Sequence, residues 1–104
     1  MLPVIIEIRE QARDDLQLGF QFYEDQAPGL GRYFLECLFA DIDSLTKFAG
    51  IHETVGGFQR LLSKRFPFAV YYTITRQRVR VSAVLDCRRD PRWTQRRLRR
   101  ASDN

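Results

Sequence analysis

The stretch FAVYYTITRQRVRVSAVL, residues 68–85, decides the fold. Within it Phe68, Val70, Tyr72 and Ile74 alternate with Ala69, Tyr71 and Thr73. Beyond Arg76-Gln77, Val79, Val81, Ala83 and Leu85 alternate with Arg80 and Ser82. A period of two in β-branched and aromatic residues predicts two strands of an antiparallel hairpin. The link lacks the Asn-Gly or Asp-Gly of a favoured two-residue loop, which leaves its turn type open. Just upstream, Phe58 to Ser63 reads as a further strand, entered from a loop over residues 49–57 that ends in Gly56-Gly57. Pro67 fits only at a strand start or on an edge. Three successive strands predict a meander.

Working outward, Val4, Ile6 and Ile8 alternate with Ile5 and Glu7, which predicts a short first strand. From Glu10 the period changes: Ala12, Leu16, Phe20 and Tyr23 recur at spacings of four and three, the mark of an amphipathic helix. It ends near Gln26, because Pro28 disfavours helical geometry at Ala27. Leu30, Phe34, Cys37, Leu38, Asp41, Ile42 and Leu45 form the stripe of a second helix, continued by Phe48 and stopped by Gly50. So short a link folds the two helices into an antiparallel hairpin whose apolar face needs a sheet to cover it. Leu35 and Phe39 lie off the stripe and leave a second apolar flank. Asp90 as N-cap and Pro91 at the first helical position open a short basic helix over residues 92–100. The order β-α-α-β-β-β-α predicts a single α+β domain over residues 1–104, a helical hairpin packed on a largely antiparallel sheet.

The chain has 104 residues, 44% of them hydrophobic and 29% charged, enough for one core. No apolar run approaches the roughly 18 to 20 residues of a membrane helix, and no secretory signal is evident, so a cytoplasmic protein without membrane contact is expected. Charge is divided along the chain. Residues 1–59 carry four basic and ten acidic groups, a balance of −6, whereas the remainder carries thirteen basic and three acidic, a balance of +10. Such asymmetry fits a polyanionic partner, nucleic acid or an acidic protein segment, or else a solvated basic face.

Most catalytic constellations fail. His52 is the only histidine and lies in a loop with no partner implied, which removes Ser-His-Asp and Cys-His chemistry. Cys37 and Cys87 lack the spacing of a disulfide framework or a zinc site, no metal is implied, and no phosphate-binding glycine loop is present, so no cofactor is expected. What remains is arginine. Arg60, Lys64 and Arg65 surround the first meander strand, Arg78 and Arg80 share one face of the third, and Arg88, Arg89, Arg92, Arg96, Arg97, Arg99 and Arg100 follow. Guanidinium groups bind phosphates bidentately and stabilise charge at a phosphorus centre, so a cationic face bare of helices is expected to bind nucleic acid. Acid-base work there has only Tyr71, Tyr72 and Lys64 to draw on, and tyrosines at strand spacing also serve as packing.

Four stretches together resemble the RelE/ParE superfamily of type II toxin-antitoxin toxins, on its ParE-like, plasmid-stabilisation branch. They are Ala12-Arg13-Asp14-Asp15-Leu16 with Tyr23-Glu24; Gly29-Leu30-Gly31-Arg32-Tyr33-Phe34; Arg60 to Tyr72 with its Arg65-Phe66-Pro67-Phe68; and Ala83 to Arg96 with its Arg88-Arg89-Asp90-Pro91-Arg92-Trp93. The resemblance implies a small β-α-α-β-β-β toxin fold and a cognate antitoxin that wraps an acidic or amphipathic segment over the hairpin and the sheet. Leu35, Phe39, Arg60 and Arg65 are the expected antitoxin contacts.

The superfamily divides in function. RelE-like members cut mRNA on the ribosome, whereas ParE-like members poison DNA gyrase without a catalytic site. Phe68 stands where the nuclease branch places a catalytic arginine and Trp93 where it places a tyrosine, while Arg89 matches a retained basic position. Tryptophan donates a hydrogen bond but exchanges no proton near neutral pH. The resemblance therefore implies a growth-inhibiting toxin with gyrase as target and Arg78, Arg80, Arg88, Arg89, Arg92, Trp93 and Arg96 as contacts. One alternative is an endoribonuclease using Arg60, Lys64, Arg65 and Arg89; the other is a non-toxic antitoxin-binding module.

Overall fold

The computed structural model describes residues 4–102. In chain order the elements are β1 (Ile5–Ile8), α1 (Glu10–Glu24), α2 (Leu30–Asp43), α3 (Leu45–Phe48), β2 (Glu53–Val55), β3 (Phe58–Leu62), β4 (Phe68–Thr75), β5 (Arg78–Asp86) and α4 (Pro91–Ser102). The strands form one sheet in the order β1-β5-β4-β3-β2, with β1 parallel to β5 and every other pair antiparallel. The expected α+β class, hairpin, meander and basic C-terminal helix are all present.

Two details depart from the periodicity. The second helix breaks at Ser44, whose hydroxyl donates to the Asp41 carbonyl at 2.6 Å while Thr46 bonds the Asp43 carbonyl at 2.9 Å. Such back-bonding competes with helix continuation. The separate turn α3 follows: Leu45 is buried, but Phe48 is turned outward rather than continuing the stripe. The segment expected as loop also contains β2, three residues paired to β3 from Glu53↔Arg60 to Val55↔Phe58.

The helical hairpin is tied at its turn by Glu24, whose carboxylate accepts from the N–H groups of Gly29 at 3.1 Å and Gly31 at 3.0 Å. These donors at the start of α2 have no intrahelical acceptor, so a carboxylate from α1 takes the place of a side-chain N-cap. The helices cross closely: a Cβ on Gly31 would sit 2.6 Å from the Phe20 carbonyl oxygen, and one on Gly19 would sit 2.5 Å from the Phe34 ring. Beneath them lie Leu16, Tyr23, Phe34, Leu38, Ile42, Val70, Tyr72, Val79, Val81 and Val84. The Phe-Pro-Phe motif is structural, because Phe66 and Phe68 both enter this core and stack on Tyr23 and Phe34 with ring centroids 4.8–6.2 Å apart.

A β-bulge corrects the simple alternation expected along β5. Tyr72 pairs with Val81 and Tyr71 with Ala83, leaving Ser82 unmatched. An extra residue reverses the side-chain faces beyond it. Val79, Val81 and Val84 therefore face the hairpin, whereas Ala83 and Leu85 join Phe58, Ala69, Tyr71, Leu98 and Ala101 in a second core under α4.

Candidate functional site

The sheet face opposite the hairpin, expected to be bare, is crossed by α4, whose Leu98 and Ala101 join Phe58, Ala69, Tyr71, Ala83 and Leu85 in one cluster. Asp15 fixes the other flank of α4. Strand β1 ends opposite Val81, so the N–H of Val84 has no strand partner on that side and donates to the Asp15 carboxylate at 3.0 Å. Arg97 of α4 reaches the same oxygen at 2.7 Å and also donates to the Gln11 carbonyl at 3.2 Å. Both partners of this ion pair are nearly buried. Burial pushes the Asp15 carboxyl above its ordinary range, and the Val84 N–H and Arg97 pull against it.

Around α4 the basic residues separate into groups. A cavity of about 560 Å³ lies between α4 and the β2–β3 hairpin, and it brings together Arg60, Tyr71, Cys87, Arg89 and Arg99. Arg60 donates to Glu53 at 2.8 Å, while its Nε is buried without a partner. Burial raises the Tyr71 hydroxyl and the Cys87 thiol above their ordinary values, and neighbouring Arg60 opposes both shifts. On the other side of α4, a cleft of about 400 Å³ runs between α1 and α4 over the edge of β5, with Leu18, Phe22, Arg89, Trp93, Arg97 and Arg100 on its walls. Arg89 belongs to both recesses and lies 4.3 Å over the Trp93 ring. Arg96 shares a shallow recess with Trp93 at the outer surface of α4.

The remaining cations stand apart. Arg78 and Arg80 lie at the far end of the sheet, both drawn to Glu7, at 3.3 and 3.6 Å. Arg88 is held bidentately by Asp86 at 3.0 and 2.8 Å. Hydrogen bonding from Arg88 holds the Asp86 carboxyl below its usual range. Arg92 pairs with Asp90, which accepts the Arg92 N–H at 2.8 Å as the expected N-cap. Lys64 and Arg65 are exposed in the β3–β4 turn and line neither recess. The residues named for a nuclease are thus divided: Arg60 and Arg89 meet, Lys64 and Arg65 do not join them. Phe68, at the position resembling a catalytic arginine, is buried in the hairpin core and shows only its edge at the wall of the α1–α4 cleft, which Arg89 and Trp93 also line.

Tyr71 and Tyr72 likewise part company, Tyr71 toward the cavity and Tyr72 into the core. Tyr72 accepts the Gly50 N–H at 3.1 Å, donates to Gln59 at 3.0 Å and is hydrogen-bonded to His52 Nδ1. His52, expected as a loop residue without a partner, is therefore a half-buried structural group. The expected antitoxin contacts do not form one patch either. Leu35 packs against the hairpin core, Phe39 is 45% exposed on α2, and Arg60 lies across the sheet. Periodicity also passed over Leu18 and Phe22, 71% and 50% exposed, which continue apolar surface into the α1–α4 cleft. Their four-residue spacing on α1, off the Ala12-Leu16-Tyr23 stripe, is the signal that carried them.

Among the described residues no helix is long and apolar enough to cross a membrane, and no three His, Cys, Asp or Glu gather around one point. A helical hairpin on one face of a five-stranded sheet and a basic helix on the other define an α+β domain of the ParE/RelE toxin fold. The chain is similar to one in a solved structure described as the chromosomal ParDE TA system from P. aeruginosa. The TM-score is 0.70 at 16% sequence identity, over 78% of this chain and 92% of that one. No protein-family model matches the chain, and no curated protein matches it.

Proposed function

We propose that this protein is the toxin of a ParDE-like type II toxin-antitoxin module. It acts in the cytoplasm by binding an essential bacterial target, DNA gyrase, and is neutralised by a cognate antitoxin. The observation that carries the reading is the fold, shared with a chain of a ParDE system along nearly all of that chain. Dispersal of the nuclease set supports a non-enzymatic mode, since Phe68 is in the core and Lys64 and Arg65 stand away from Arg60 and Arg89. The target surface in this reading is the ridge of Arg88, Arg89, Arg92, Trp93 and Arg96, with Arg78 and Arg80 as a separate contact at the far end of β5. The α1–α4 cleft, with Leu18 and Phe22 beside arginines, suits an amphipathic acidic antitoxin segment.

Inducible expression without antitoxin tests the reading. Growth arrest with DNA damage and intact transcripts is expected, and replacing Arg88, Arg89 and Arg92 together by alanine abolishes the arrest while the protein stays folded. Retained toxicity in that variant removes the ridge from the mechanism. A second reading, metal-independent endoribonuclease on ribosomal mRNA, is favoured by the meeting of Arg60, Arg89 and Tyr71 in one cavity; cleaved transcripts on induction would establish it. Harmless expression would leave an antitoxin-binding module.

A further inference from the structure

The cavity between α4 and the β2–β3 hairpin shares only Arg89 with the outer ridge proposed for target binding, and the rest of its wall has a chemical character of its own. Its wall holds three arginines, Arg60, Arg89 and Arg99, and no aspartate or glutamate. Around the rest of the sheet and α4 many guanidinium groups are answered by carboxylates: Asp86 holds Arg88, Asp90 holds Arg92, Asp15 holds Arg97, and Glu7 serves Arg78 and Arg80, while Arg13, Arg65, Arg76 and Arg96 stand in solvent on no common wall. Here Glu53 takes one nitrogen of Arg60, and Arg60 Nε stays buried without an acceptor. Arg89 rests on the Trp93 ring, and the Arg99 guanidinium has no hydrogen-bond or ion-pair partner among the described residues. A buried donor without an acceptor is costly, so a wall with this excess of donors fits an anion carrying several acceptor oxygens.

The rest of the wall narrows the choice. Val55, Pro91 and Leu98 offer apolar surface, and Tyr71, Thr94 and Gln95 offer hydroxyl and amide groups beside it. At about 560 Å³ the space falls within the range of small-molecule sites, far larger than a bare anion needs. Three guanidiniums around one space match a dianion better than a carboxylate. We infer that this cavity binds a nucleoside monophosphate, its phosphate held by Arg60, Arg89 and Arg99 and its base and sugar against Val55, Leu98 and Tyr71. The same chemistry is presented by a free mononucleotide and by the 5′-phosphorylated end of an RNA.

Calorimetric titration of the full chain tests this with adenosine and uridine 5′-monophosphates, inorganic phosphate and uridine as probes. The expected result is one nucleotide per chain, bound at least about tenfold more tightly than inorganic phosphate, with no binding of uridine. Arg99→Gln, at an exposed position on the cavity wall that belongs to neither core, is expected to weaken nucleotide binding about tenfold. Arg60→Gln does the same, and Arg32→Gln on α2 leaves binding as in the parent. An RNA tetramer competing only when 5′-phosphorylated identifies an RNA end as the source; failure of the tetramer to compete identifies the free nucleotide. Nucleotide binding no tighter than phosphate, indifference to Arg99→Gln, or no nucleotide binding at millimolar concentration overturns the inference. None of these outcomes depends on whether the protein is toxic.

Discussion

The two faces of the sheet are built from the same strands and differ in almost everything else. On the hairpin face large side chains meet large side chains, Tyr23, Phe34, Phe66 and Phe68 stacking edge to face over branched aliphatics. On the α4 face the strands contribute Phe58, Ala69, Tyr71, Ala83 and Leu85, and only Leu98 and Ala101 are buried from the helix. Two buried residues from α4 are too little apolar volume to close the space beside the helix, and a cavity with three arginines on its wall results. One face carries stability, and the other carries recesses and charge. The Ser82 bulge apportions β5 between them.

The sharpest way to break this contrast is to empty each face in turn. Phe34→Ala removes a fully buried ring and is expected to cost about 3–5 kcal/mol in denaturant unfolding, a large share of the stability of a small domain. Leu98→Ala on the other face should cost less, because its neighbours already border a cavity and can relax into it. Equal losses would show that α4 is as integral to the fold as the hairpin. The joint between the faces comes next. Arg97→Met leaves the Asp15 carboxylate buried beside Val84 without its cation, at an expected cost of about 3 kcal/mol near neutral pH. The Asp15 pKa already lies above its ordinary value, and losing Arg97 raises it further. The penalty should therefore shrink as pH falls and Asp15 takes up a proton; a penalty constant with pH would mean the pair is not ionised. A third change tests only the hairpin: Gly31→Ala drives a methyl group against the Phe20 carbonyl and should cost about 1–3 kcal/mol, measured as a lowered urea midpoint with unchanged slope.

The same contrast explains what could be read from the residues alone. Apolar periodicity reports faces that are buried against something large, so the hairpin, the strands and the Tyr23–Phe34–Phe68 core were legible. It is silent about a single inserted residue. Ser82 looks like any outward strand position, and the reversal of Ala83 and Leu85 therefore stayed hidden until the register was seen. The run of arginines was legible as charge but not as geometry. Arg60 and Arg89, 29 positions apart, meet in one cavity, whereas Arg65, only five residues from Arg60, does not reach it. Nothing in the residues around Asp15 marks it as an anchor, because its partners, the Val84 N–H and Arg97, are brought to it only by the end of β1 and the docking of α4.

The smallest expected effect concerns the neighbouring tyrosines that the pleat sends to opposite faces. Tyr71 places its hydroxyl among cations at a cavity wall, whereas Tyr72 buries its hydroxyl and satisfies it with Gly50, Gln59 and His52. Burial lowers the His52 pKa below its ordinary value. As pH falls through the ordinary histidine range the unfolded chain therefore takes up the proton first, and stability declines until the folded pKa is passed, after which it is constant. Above that range the contribution is present in full. Asp15, whose pKa is shifted upward, acts in the opposite sense, so the informative quantity is the difference between the parent and His52→Gln. Thermal midpoints followed from about pH 7.5 to about pH 5 should fall less steeply in the variant. Parallel curves would mean that protonated His52 is accommodated as well in the fold as in the open chain, and that the polar network around Tyr72 tolerates charge as readily as the face across the sheet.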